Sequence, residues 1–249
     1  MKQFPFLLLL LINPLHAQDA AAPNVASEEL LPSQQEFLNL PEEKRTEFAK
    51  NFGEASRLFQ QKRVFESLDA IEKAEKIFAN SAELLNLRGS CYVEMRSFNK
   101  ASAAFEQAAK IAPKNSSIRF NIAEVLFVTK QWKKAHDILQ SVLKEIPESN
   151  MALARLVEFK IMLCKKRLGQ NEEFVIMAGK YDYQDDSPYY YYSQAALDYE
   201  DKKTIQAEEW IARANRIFRD PNIIAPWQDT LVEYGYVESF YGDDAAPAK

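Results

Sequence analysis

The chain has 249 residues, 47% apolar and 27% charged, with a formal net charge of −5. That composition is globular, and too acidic for general binding to a nucleic-acid backbone, which needs a basic face. Six glycines and eleven prolines, set against abundant Ala, Leu, Glu and Lys, favour an all-helical protein.

Residues 1–17 read as a secretory signal peptide. "MKQ" brings one positive charge, "FPFLLLLLINPL" is a short apolar core, and "LHA" precedes Gln18 as a cleavage site after Ala17. The apolar run is shorter than the about 20 residues a membrane span needs; an uncleaved anchor is the alternative. No cysteine follows the cleavage site, so lipid attachment is not expected. Cleavage removes Lys2 and no acid, which takes the net charge from −5 to −6. The expected product is exported, periplasmic or secreted, without a stable membrane anchor. Residues 18–35, "QDAAAPNVASEELLPSQQ", read as a flexible leader. Pro41 suits the first turn of the helix that follows.

From residue 48 the chain repeats itself every 34 residues. Gly89, Tyr92, Ala101, Phe105, Ala108 and Pro113 recur as Ala123, Leu126, Ala135, Leu139, Val142 and Pro147. One step back they are Ala55, Leu58, Ser67, Ile71, Ala74 and Ala79. Each unit is two amphipathic helices by spacing. Small residues at Gly89 and Ala101 let paired helices approach, Phe105 fills the space beside them, and Pro113 ends the second helix. Asn115 or Ser116, and later Ser149 or Asn150, suit the cap of the next helix.

The spacing G-x2-Y, then A-x3-F, then P resembles the tetratricopeptide repeat. The resemblance implies an all-α fold, an α-solenoid of antiparallel helix pairs. Units fall at 48–81, 82–115 and 116–149. A degenerate unit follows at 150–187, then one at 188–221 that closes at Asp220-Pro221. A helix at 224–241 caps the apolar end of the array, and 243–249 is a tail. Residues 36–242 read as one continuous solenoid, and 168–187 is where a split or kink is expected.

Catalytic signals are scarce. His16 leaves with the signal peptide, so His136 is the remaining histidine, and it reads as a helix-surface residue. No zinc spacing, phosphate-binding loop or nucleophile–histidine arrangement is present. No catalytic, cofactor or metal residues are expected. Cys91 and Cys164 fall on first helices two units apart, roughly 20 Å at 8–10 Å per packed helix. A disulfide needs Cα atoms within about 7 Å, so two buried free thiols are expected. "Tyr-Tyr-Tyr-Tyr" at 189–192 puts rings on every side of one helix turn, so some are buried and some exposed.

In the family that the repeat resembles, certain first-helix positions face a concave groove that binds peptides or proteins. Carried over, these give Phe52, Phe59, Glu94, Phe120, Glu124, Phe127, Glu158, Tyr189, Tyr192 and Tyr199 as partner-binding residues. Asn121 matches part of the basic clamp some relatives use for a carboxylate chain end, but Leu87 and Ser117 do not. The implied groove is aromatic and acidic, suited to a protein or peptide with apolar anchors and basic flanks, and not to nucleic acid. Alternatively, several of these rings are covered by the chain itself. The implied function is a non-catalytic scaffold of the cell envelope or extracellular space; a small-ligand-binding protein or enzyme using the groove as a pocket is the alternative.

Overall fold

The computed structural model describes residues 30–240, which contain twelve helices and no strand. The signal peptide, the leader as far as residue 29 and the tail at 243–249 lie outside the described residues. Helices succeed one another in pairs, α2 (Glu42–Gln60) with α3 (Val64–Glu75) and α4 (Ala82–Glu94) with α5 (Phe98–Ile111). Then come α6 (Ser116–Val128) with α7 (Trp132–Leu143), α8 (Met151–Arg167) with α9 (Asn171–Ala178), and α10 (Tyr189–Glu200) with α11 (Thr204–Ile217). A short α1 (Pro32–Leu38) precedes the pairs and α12 (Pro221–Tyr234) follows them. The fold is all-α, as the repeat implied. The described residues form two compact units, 30–121 and 122–240, and the division falls inside α6 rather than within 168–187.

The repeat positions are the core positions. Ala55, Ile71, Ala74, Ala101, Phe105, Ala108, Ala123, Ala135 and Leu139 are all inaccessible to solvent. Gly89 shows why small residues recur: a Cβ there would lie 2.4 Å from the Phe105 ring. Ser67 stands where the other units have alanine, and its hydroxyl donates to the Ala55 carbonyl at 2.8 Å. A buried hydroxyl satisfied in this way adds little penalty.

The turn inside each pair follows one backbone pattern. Lys62, Arg96, Lys130, Gly169 and Lys202 have φ between 54° and 78°. At each, the following residue's N–H reaches back to a carbonyl of the first helix, as Gln131 does to Leu126 at 2.8 Å. This closes the helix with a left-handed residue. Only one of the five is glycine; the other four are basic side chains in a conformation that L-residues rarely adopt.

Two local features differ from the sequence reading. Within 30–121, α1 begins at Pro32, inside the stretch read as leader, because Phe37 packs on Phe48 and Phe78 with ring centroids 5.2 and 5.3 Å away. His136 is buried rather than on the surface, with Nδ1 3.1 Å from Asp137 Oδ1, because it shares the buried face of α7 with Ala135, Leu139 and Val142. In the unit read as degenerate, the partner of α8 is a helix of only eight residues, after which the chain runs irregularly through 179–188. Cys91 and Cys164 are buried free thiols, as expected. Burial pushes their pKa values up to about 11 and about 12.

Candidate functional site

In residues 122–240 the first helices are α8, α10 and the last part of α6. α8 is buried on almost every side from Leu153 to Cys164, being packed by α7, α9, α10 and α12. A helix buried all round is normally apolar all round, yet α8 carries Lys160 at its centre. The Lys160 ammonium lies 2.9 Å from Glu124 of α6 and 3.0 Å from Glu233 of α12, and 4.7 Å from the centre of the Phe127 ring. Burial works against the lysine charge, but the two carboxylates outweigh it and hold its pKa above the ordinary range. Glu233 pays the balance. Burial and the nearby Glu124 push its pKa up to about 7, against the pull of Lys160.

α12 covers this surface along its length. Asp220 caps its start by accepting from the Asn222 N–H at 2.9 Å, and Pro221 occupies its first turn. Trp227 packs against Phe159 and Tyr192, with centroids 5.3 and 5.5 Å away. About two turns on, Tyr234 meets Trp132 at 5.5 Å and Phe127 at 6.3 Å. Arg167 lies 4.2 Å from the Tyr234 ring centre and donates to the Tyr234 carbonyl at 3.1 Å. After the helix ends at Gly235, the Tyr236 ring stacks on Tyr199 at 5.0 Å and its hydroxyl donates to Glu200 at 2.6 Å. A helix was expected at 224–241; it begins at Pro221 and ends at Tyr234, where Gly235 turns the chain, and its apolar face lies on α6, α7, α8 and α10.

The residues expected to line a groove are therefore distributed unevenly. Phe127, Tyr189 and Tyr192 are fully buried, the first beneath Tyr234 and the other two beneath Trp227. Glu124 faces Lys160, and Tyr199 is half-buried under Tyr236. Burial raises the Tyr199 pKa to about 12. Glu158 sits apart from α12 in a second ionic cluster, with Lys180 at 2.5 Å, Arg155 at 3.5 Å and the Tyr181 hydroxyl at 3.2 Å. In residues 30–121, Phe59 is core, Phe52 is half-buried and stacked on Phe48, and Glu94 pairs with Lys62 at 2.8 Å. Phe120 is buried, and its neighbour Asn121 donates to Asn86 of α4 at 2.9 Å.

Sequence reasoning missed Lys160, Arg167, Trp227 and Glu233. One signal was present: a lysine between Phe159 and Ile161 in an otherwise apolar run. Nothing local announced its two acidic partners, which are 36 residues before it and 73 after it. Among the described residues no group of His, Cys, Asp and Glu is placed to hold a metal ion. No described helix is long and apolar enough to cross a membrane.

Residues 92–157 match the tetratricopeptide repeat. Solved structures extend the likeness along most of the chain. YrrB, described as a tetratricopeptide-repeat protein with an unusual peptide-binding site, is 20% identical with a TM-score of 0.52, over 76% of this chain and 95% of its own. MamA from Desulfovibrio magneticus RS-1 is 17% identical with a TM-score of 0.55, over 70% of this chain and 96% of its own. The Pseudomonas aeruginosa protein pilF is 12% identical with a TM-score of 0.51, over 78% and 94%. At these identities the likeness concerns the fold: tetratricopeptide-type helix pairs in succession. No curated protein matches the chain.

Proposed function

We propose that this protein is a non-catalytic scaffold that binds protein or peptide partners on the faces of its first helices. Tetratricopeptide-repeat proteins generally work as scaffolds, and YrrB is described as binding peptide. The observation that carries the reading is α12 itself. The first-helix surface of residues 122–240 already holds a helix through aromatic rings and one ion pair, which is a helix-in-groove mode of recognition. The same surface, filled by α12, leaves little room for the alternative of a small-molecule pocket.

In the 30–121 unit the corresponding surface carries Asn86, Glu94 and the exposed Glu83, a polar face suited to a peptide backbone and its basic side chains. A photo-crosslinking side chain placed at Glu83 in the native cells should give covalent adducts to another protein. The same group at Glu106, exposed on the second helix α5, should give none. Equal adducts at both positions, or none at either, overturn the reading.

We also propose export to the periplasm or the extracellular space, from the charged start, short apolar core and Leu15-His16-Ala17. Amino-terminal sequencing of protein from its own host should begin at Gln18. A sequence that begins at Met1 rules the proposal out.

A further inference from the structure

We infer that the surface under α12 is an exchangeable helix-binding site, and that its partner is a helix from another protein with an aromatic residue followed six residues later by a carboxylate and then a second aromatic. This rests on the scaffold reading and specifies the partner for one of its faces. The pattern is that of Trp227, Glu233 and Tyr234, the side chains by which α12 meets Phe159 and Lys160 of α8 and Phe127 of α6. It differs from the basic peptide expected from sequence because the surface itself holds Lys160 and Arg167, which face the acid and the second ring.

α12 fits this seat incompletely. Its carboxylate enters beside Glu124, so two acids share the Lys160 ammonium. The second oxygen of Glu124 and the hydroxyl of the fully buried Tyr192 have no hydrogen-bond partner. Unpaired buried polar atoms of this kind are costly. Pro226 lies inside α12 and lacks a backbone donor there. A helix without the proline, bringing an amide or hydroxyl towards Tyr192 and Glu124, would satisfy groups that α12 leaves open. The contacts of α7 with α8 and of α10 with α11 do not involve α12.

A separate partner suits the site better than a second copy of the chain. Only Phe218, Arg219 and Asp220 join α11 to α12. That link spans at most about 10 Å, so exchange between copies would force the second copy against α11. A partner's helix carries no such tether.

The test uses a fluorescent peptide with the sequence of residues 220–236, titrated into the full chain while polarisation is read. Wild type should bind weakly, since its own α12 competes. Trp227→Ala and, independently, Glu233→Ala should free the site and tighten peptide binding about tenfold, as for a surface previously open about a tenth of the time. A peptide that itself carries Glu233→Ala should bind the freed chains several-fold more weakly. Circular dichroism identifies which variant retains the wild-type helical signal, and either one suffices. Equal affinity for wild type and a folded variant, or no loss with the altered peptide, overturns the inference. Dimerisation of the variants that the peptide abolishes overturns it in favour of a second copy. If the peptide fails while crosslinks at Glu83 persist, this site falls and the scaffold stands. Peptide binding without any crosslinks removes the scaffold reading instead.

Discussion

Gly89 and Lys160 are the two residues whose replacement tests the packing most directly. Gly89 has the Phe105 ring where a Cβ would go, and that ring is fully buried. Gly89→Ala should therefore lower stability despite alanine's better helix propensity, by about 1–3 kcal/mol as for other overpacked cores. Thermal unfolding with an unchanged midpoint would show that the ring yields freely. Lys160→Met removes the single cation between Glu124 and Glu233. Leaving buried charge unpaired typically costs about 3–5 kcal/mol, and denaturant unfolding should show a loss of that size. Gly89 was legible in the sequence because it recurs at a fixed step with Ala55 and Ala123. Lys160 was not, because its environment comes from α6 and α12.

Among the elements, the turns and α12 make separate predictions. Lys130 holds φ at 62°, a conformation costing a side-chain-bearing residue about 1–2 kcal/mol. Lys130→Gly should remove that strain and, after glycine's greater loss of freedom on folding, raise stability by about 0.5–1 kcal/mol. Glu106→Gly, in the middle of α5, should instead lower it by about 1 kcal/mol. A melting-temperature shift of the same sign in both would contradict the turn assignment. For α12 the variable is pH. Glu233 is raised from the ordinary carboxylate range to about 7 when docked, facing Lys160 of α8, Glu124 of α6 and Asp229 of its own helix. The docked state thus holds a proton that the released state gives up. Its contribution is complete below the ordinary carboxylate pKa and is lost as pH rises through about 7. The urea midpoint should fall between pH 5 and pH 8 by the equivalent of about 2 kcal/mol, and Glu233→Gln should flatten that slope. An identical slope in the variant would place the titrating group elsewhere.

For the whole molecule, Cys91 lies in one compact unit and Cys164 in the other, and both are free. Reductant should leave the melting curve unchanged. A thiol reagent should find two groups in the unfolded chain and react slowly with the native one, where burial raises both pKa values. A single thiol or none after unfolding would contradict the structure. The sequence by itself determined the helix pairs. A 34-residue period of small and large apolar residues has one efficient way to bury its faces, and the glycine, alanines and Phe105 that define the period occupy the core of the fold. It also marked the aromatic residues of the first helices as special. Only the tertiary structure decided that Phe127, Tyr189 and Tyr192 lie beneath α12 rather than facing solvent. The reason is physical. Periodicity records which face of a helix is apolar, whereas the identity of what covers that face depends on contacts such as Lys160 with Glu233, between residues too far apart in the chain for any local pattern to register.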